Sequence, residues 1–170
     1  MKRLLFVFPF ALLLACSSDG SDGDAAQTPE GMFAVAPSSA DASVVTGIWE
    51  IAEPTRVSNV ESRIRFELRA DHLIAAARCS TTDGSAEPVV AGARVGATVS
   101  DAKIQVGQAI ETKKQIGSLA ICGVRVAAGT LPRCAEGSKA EERKTCFALE
   151  DAKLTLYQAS GALVFTKVAD

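Results

Sequence analysis

Histidine, tryptophan and tyrosine each occur once in these 170 residues, and aromatics make up only 5% of the chain. A single imidazole leaves His72 alone for any histidine-based chemistry, and it sits beside Asp71 in a stretch that reads as an exposed turn. No Gly-x-Ser-x-Gly elbow supplies an activated serine, and no two of the 20 acids are singled out by spacing for glycoside chemistry. The chain therefore reads as non-enzymatic. A basic excess is missing too, with 18 Lys and Arg against 20 Asp and Glu, so nothing resembles the cationic stripe that nucleic acid requires. There is no Gly-rich phosphate loop, no internal repeat and no Cys-x-x-Cys knuckle, and neither cofactor nor metal is expected.

What is present begins at the N-terminus. Met1-Lys2-Arg3 is a short positive segment, Leu4 to Leu14 an apolar one, and Ala15 a small residue before Cys16. The apolar segment is too short to cross a bilayer, which needs about 20 residues in a helix, and Pro9 interrupts it. Leu13-Leu14-Ala15-Cys16 resembles the lipobox of bacterial lipoproteins. That resemblance implies removal of residues 1–15 as a signal peptide and lipidation of Cys16, and two or more acyl chains give stable membrane anchoring. It also implies residence in the cell envelope. Ser17 is not the Asp that retains many such proteins at the inner membrane, so the outer membrane is the expected destination.

From Ser17 to Ser43 the chain is dominated by Ser, Asp, Gly, Ala and Pro, and is expected to be a disordered tether reaching about 25 to 30 Å. The run Asp19 to Asp24 has the look of a calcium loop, but lacks the distal Glu of one. Four cysteines remain after Cys16, namely Cys79, Cys122, Cys134 and Cys146, an even number suited to pairing in an oxidising compartment. Of three pairings, Cys134 with Cys146 is preferred because it closes a charged loop, and Cys79 with Cys122 because it joins two strand ends.

Residues 44–170 show short alternating apolar stretches broken by Gly, Asp, Ser and Pro, the signature of strands. Expected strands are Val44 to Ala52, Ser62 to Ala70, Leu73 to Cys79, Val89 to Ser100, Lys103 to Thr112, Leu119 to Ala127, Ala152 to Tyr157 and Ala162 to Val168. A helical turn is expected between Ala135 and Thr145. In the second strand Ile64, Phe66 and Leu68 share one face, and Arg63, Arg65, Glu67 and Arg69 share the other, which is expected to be solvated surface. The last two strands flank Gln158 to Gly161, a hairpin loop whose Gly can take positive φ. The expectation is an all-β domain, a small antiparallel barrel of about eight strands, because closure removes exposed edges.

Gly47-Ile48-Trp49, with the terminal segment LTLYQASGALVFTKV, resembles lipocalin-like and META-type envelope lipoproteins at both ends of the domain. The resemblance implies that Gly47 and Trp49 close one barrel end, with Lys167 as partner across it. It also implies an interior lined by residues such as Ile64, Phe66, Leu154 and Phe165, and a binding role toward a small apolar ligand or lipid. A protein inhibitor of an envelope hydrolase such as lysozyme, working through the Cys134–Cys146 loop, and a structural envelope component with a filled barrel are the alternatives.

Overall fold

The computed structural model describes residues 28–170, except positions 39, 42, 119, 140, 141, 144, 151 and 160. Cys16 and the expected signal peptide lie outside the described residues. Among the described residues twelve strands are formed: β1 Gly47–Ile51, β2 Thr55–Val57, β3 Val60–Leu68, β4 His72–Thr81, β5 Val89–Ser100, β6 Lys103–Val106, β7 Ile110–Ile116, β8 Ala120–Val126, β9 Gly129–Pro132, β10 Cys146–Glu150, β11 Lys153–Gln158 and β12 Gly161–Ala169. Ten make one antiparallel sheet in the order β10-β11-β12-β1-β3-β4-β5-β6-β9, with β2 paired to β3. Its two ends meet. Arg133 bridges Phe147, the Cys134 N–H donates to the Phe147 carbonyl at 2.7 Å, and the Cys134–Cys146 disulfide sits beside them. The all-β chain thus forms a nearly closed barrel, with more strands than the eight expected.

Register carries one apolar face around the sheet. Ile51 lies opposite Phe165, Trp49 opposite Phe66, Phe66 opposite Ala75, Ala75 opposite Ala93, and Val99 opposite Ile104. Directly opposed residues point to the same side of a sheet, so these positions form the barrel's inner wall. β5 changes partner along its length: residues through Gly96 pair with β4, and Ala97 onward pairs with β6.

The remaining two strands form a separate hairpin. Lys103 to Thr112, expected as a single strand, is divided after Val106, and its second half pairs with β8 instead. This hairpin packs against the inner wall at β4 and β5, where Ala75, Ala77 and Ala91 are fully buried with Ile110, Ile116, Cys122 and Val124. Small wall residues permit that approach, because a leucine at any of the three would occupy the hairpin's space. The Cys79–Cys122 disulfide ties β8 to β4.

The outer face differs from expectation in two respects, which share one cause. Residues 28–38, read from composition as tether, lie along the sheet: a 3-10 turn at Gly31–Phe33 buries Met32 fully against Ile74 and Ala76, and Val35 packs with Ile48 and Val168. Beneath this strap, Arg65 and Glu67 are 8% and 1% exposed rather than solvated. Arg65 donates through Nη1 to the carbonyls of Met32 and Val35, through Nε to Glu50 at 2.5 Å, and lies over the Phe33 ring. Guanidinium offers five donors in a planar fork, so one buried arginine can pin a strap and pair a carboxylate together. Glu67 accepts from Arg69 at 2.8 Å. Strand alternation had placed these charges on the outer face correctly, but a covering segment, not parity, decides whether that face is wet.

Candidate functional site

The inner wall and the hairpin border a half-open cavity of about 620 Å³. Ile64 and Phe66 from β3, Leu154 from β11 and Phe165 from β12 all line it, so the four residues named as candidate ligand contacts are brought to one space. Phe66 and Phe165 meet with ring centroids 5.1 Å apart, tilted by 55°. Leu154 and Phe165 are fully buried and opposed in register across β11 and β12. The far side of the cavity comes from β8 and the turn after it, through Gly123 to Ala128. Alternation in LAICGVRVA predicts a strand there, but not that its Cys122 and Val124 face packs on the barrel's inner wall while the alternate face is exposed, a placement that depends on the small side chains of β4 and β5.

Gly47, Trp49 and Lys167 form a second cluster at one end of the wall. Trp49 is fully buried, and its Nε1–H donates to the Val45 carbonyl at 2.8 Å. Lys167 lies opposite it in register with Nζ 5.6 Å from the ring centroid, close enough for a cation–π contact. The Lys167 side chain is only 2% exposed, and its ammonium pairs with Asp170 at 2.6 Å and donates to the carbonyls of Asp41 and Val44. Gly47 has φ +128°, and a Cβ there would stand 2.5 Å from Lys167 Cε and 2.6 Å from the Ala169 carbonyl. Gly47→Ala is therefore expected to cost about 1–3 kcal/mol, read as a lower urea midpoint. An unchanged midpoint would show that the strand entry tolerates a side chain.

Two exposed carboxyls border this cluster. The hydrogen bond from Lys167 chiefly holds Asp170 below the usual carboxylate range, and the Ser43 hydroxyl does so chiefly for Asp41. Lowered pKa values on folding mean a contribution that is present at neutral pH. It begins to fade as pH falls through the ordinary carboxylate value and is gone below the depressed one. Solvent screening keeps it small.

His72, expected on an exposed turn, is instead the first residue of β4, with its side chain 12% exposed. Its Nδ1 is 2.8 Å from Asp71 and 3.2 Å from Arg94. It occupies the face of β4 shared with Ile74 and opposite to Leu73, which lines the cavity. The chain's one imidazole and its cavity are thus separated by the sheet.

Between the paired Cys134 and Cys146, the segment expected to hold a helical turn shows turns closed by Ser138 N–H to Ala135 and Glu142 N–H to Lys139. Arg143 fastens it, donating to the Tyr157 hydroxyl at 3.0 Å and pairing with Glu150 at 3.0 Å. Among the described residues, no cluster of three or more His, Cys, Asp or Glu could hold a metal ion, and no helix is long and apolar enough to cross a membrane. No family model, curated protein or solved structure matches the chain.

Proposed function

We propose that this protein is a non-enzymatic, envelope-anchored binding protein whose barrel takes a small apolar ligand or lipid, with acyl chains on Cys16 holding it at the outer membrane. The observation that carries the reading is the cavity. At about 620 Å³ it falls inside the range of roughly 300–1,000 Å³ common for small-molecule sites. Its buried lining is hydrocarbon, so an apolar guest gains burial without stranding a polar group. The contact of Lys167 with the Trp49 ring beside Gly47 supports the lipocalin-like part of the reading, because that resemblance assigns the three residues to one barrel end. The lipobox-like segment is what supports the anchor.

Leu156 and Leu163 are opposed on the inner wall and both line the cavity, so larger side chains there reduce its volume directly. The chain from Ser17 onward, which keeps every described residue, is titrated with a fluorescent apolar dye that brightens out of water. Leu156→Trp with Leu163→Trp is expected to weaken dye binding by about tenfold, or 1.4 kcal/mol, with an unchanged β-sheet circular dichroism spectrum. Equal binding by the variant would remove the cavity as the site.

A further inference from the structure

Among the described residues two large apolar side chains stand exposed, Val57 at 76% and Ile121 at 66%. Both belong to one end of the barrel. Val57 lies opposite Val60, which in turn lies opposite Thr81, so the β2–β3 turn sits beside the end of β4. Ile121 adjoins Cys122, which is bonded to Cys79, two residues before Thr81. A Cβ on Gly117, in the β7–β8 turn, would stand 3.8 Å from Ala86 of the β4–β5 loop. Ile121 is opposed by Gln115 on the hairpin face turned away from the wall, where Gly123 adds no side chain to cover it. The chain reaches the barrel beside this hairpin, because Glu30 at the start of the strap pairs with Lys114 of β7 at 3.3 Å. Eleven residues, 17–27, separate Cys16 from Thr28, and covalent geometry limits their span to about 40 Å.

We propose that this end of the barrel docks on the phospholipid surface, with Val57 and Ile121 entering the headgroup boundary and the Lys113 and Lys114 ammonium groups reaching lipid phosphates. This rests on the anchoring reading above and adds which surface meets the membrane. Long lysine stems lie along apolar surface while their charged heads stay in water or among headgroups. Asp83 and Glu87 of the β4–β5 loop offset the two lysines, so apolar insertion rather than net charge selects the surface. One valine and one isoleucine gain little alone. An anchor makes the contact intramolecular, however, and the raised effective concentration turns a weak contact into a populated one. The β11–β12 turn, whose Gln158 and Ala159 border the cavity, lies at this end as well, since β3 and β12 both run antiparallel to β1 and so begin at the same end. Docking turns that side of the cavity toward the lipid.

The test couples the chain from Cys16 onward, through the Cys16 thiol, to a maleimide lipid in vesicles of phosphatidylethanolamine and phosphatidylglycerol; the other four cysteines are held in disulfides. Ile121→Trp places a fluorescent reporter at the proposed surface, and Lys103→Trp places one at an exposed position in the turn at the opposite end, with buried Trp49 as a shared background. Nitroxide-labelled lipid is expected to quench the added emission of Ile121→Trp by about twofold or more, and that of Lys103→Trp by less than about a tenth. Val57→Asp added to Ile121→Trp is expected to remove roughly half of that quenching, with an unchanged circular dichroism spectrum. Equal quenching at the two ends, or none at either, would overturn the proposal while the anchoring reading stands, because the coupling is chemical. Quenching that Val57→Asp leaves untouched would overturn the part given to Val57. Mass spectrometry of protein taken from cell membranes tests the anchor separately, and an unmodified Cys16 there would overturn both.

Discussion

Trp49→Ala is expected to lower stability by about 3–5 kcal/mol, the largest effect of any single substitution considered. Trp49 is fully buried between β12 and β3, opposed in register by Lys167 on one side and Phe66 on the other. Alanine removes the indole's buried area, leaves a void where a barrel end is closed, and takes the donor from the Val45 carbonyl. Lys167 then loses its aromatic partner while its side chain stays enclosed. A chain of this size is stable by only about 5–15 kcal/mol, so the variant should unfold at far lower urea than the parent. Trp49→Phe separates the contributions: it keeps a ring but loses the hydrogen bond, and should lie between the two. A midpoint for Trp49→Ala within experimental error of the parent would show that this end of the wall is not a structural closure.

The second large effect belongs to the Cys79–Cys122 disulfide. Replacing both residues with alanine is expected to cost about 2–5 kcal/mol, in line with removal of a native disulfide from a small exported domain. The bond joins residues 43 apart, against 12 for Cys134–Cys146, and the longer loop confines the unfolded chain more. It is also the covalent tie between the hairpin and the barrel wall, so its loss should act locally as well as globally. Amide exchange in β7 and β8 is expected to accelerate more than in β3 or β4, and the hairpin to become the first site of proteolysis. Uniform acceleration across all strands would mean that apolar packing on Ala75, Ala77 and Ala91 seats the hairpin unaided.

Much of the wall was legible in the sequence because its signal is local. Val89 to Ser100 forms a strand with the bounds expected, and the β11–β12 pair follows from the alternation of Leu154 and Leu156 with Lys153 and Thr155 around a loop ending at Gly161, whose φ is +135°. Both preferred disulfides are formed, although Cys122 lies inside β8 rather than at a strand end. What eluded the sequence depends on contacts between distant segments. Alternation runs unbroken enough through Lys103 to Thr112 to hide the change of partner after Val106. Nothing in the residues of β3 announces that Met32 and Phe33 will cover Arg65, because a strand's parity gives a side and not its neighbours. Short strands such as β2, β9 and β10 have too few residues for a period to show.

The claim on which the functional account turns is that hydrocarbon enters the barrel between its inner wall and the β7–β8 hairpin. Isotope-filtered nuclear Overhauser spectroscopy of the chain from Ser17 onward, with unlabelled palmitate bound to labelled protein, tests this directly. Contacts from the palmitate methylenes to Ile64, Phe66, Leu154 and Phe165 together are the predicted result. Bound palmitate that touches none of the four, or touches only outer-face residues such as Ile74 and Val90, would contradict it.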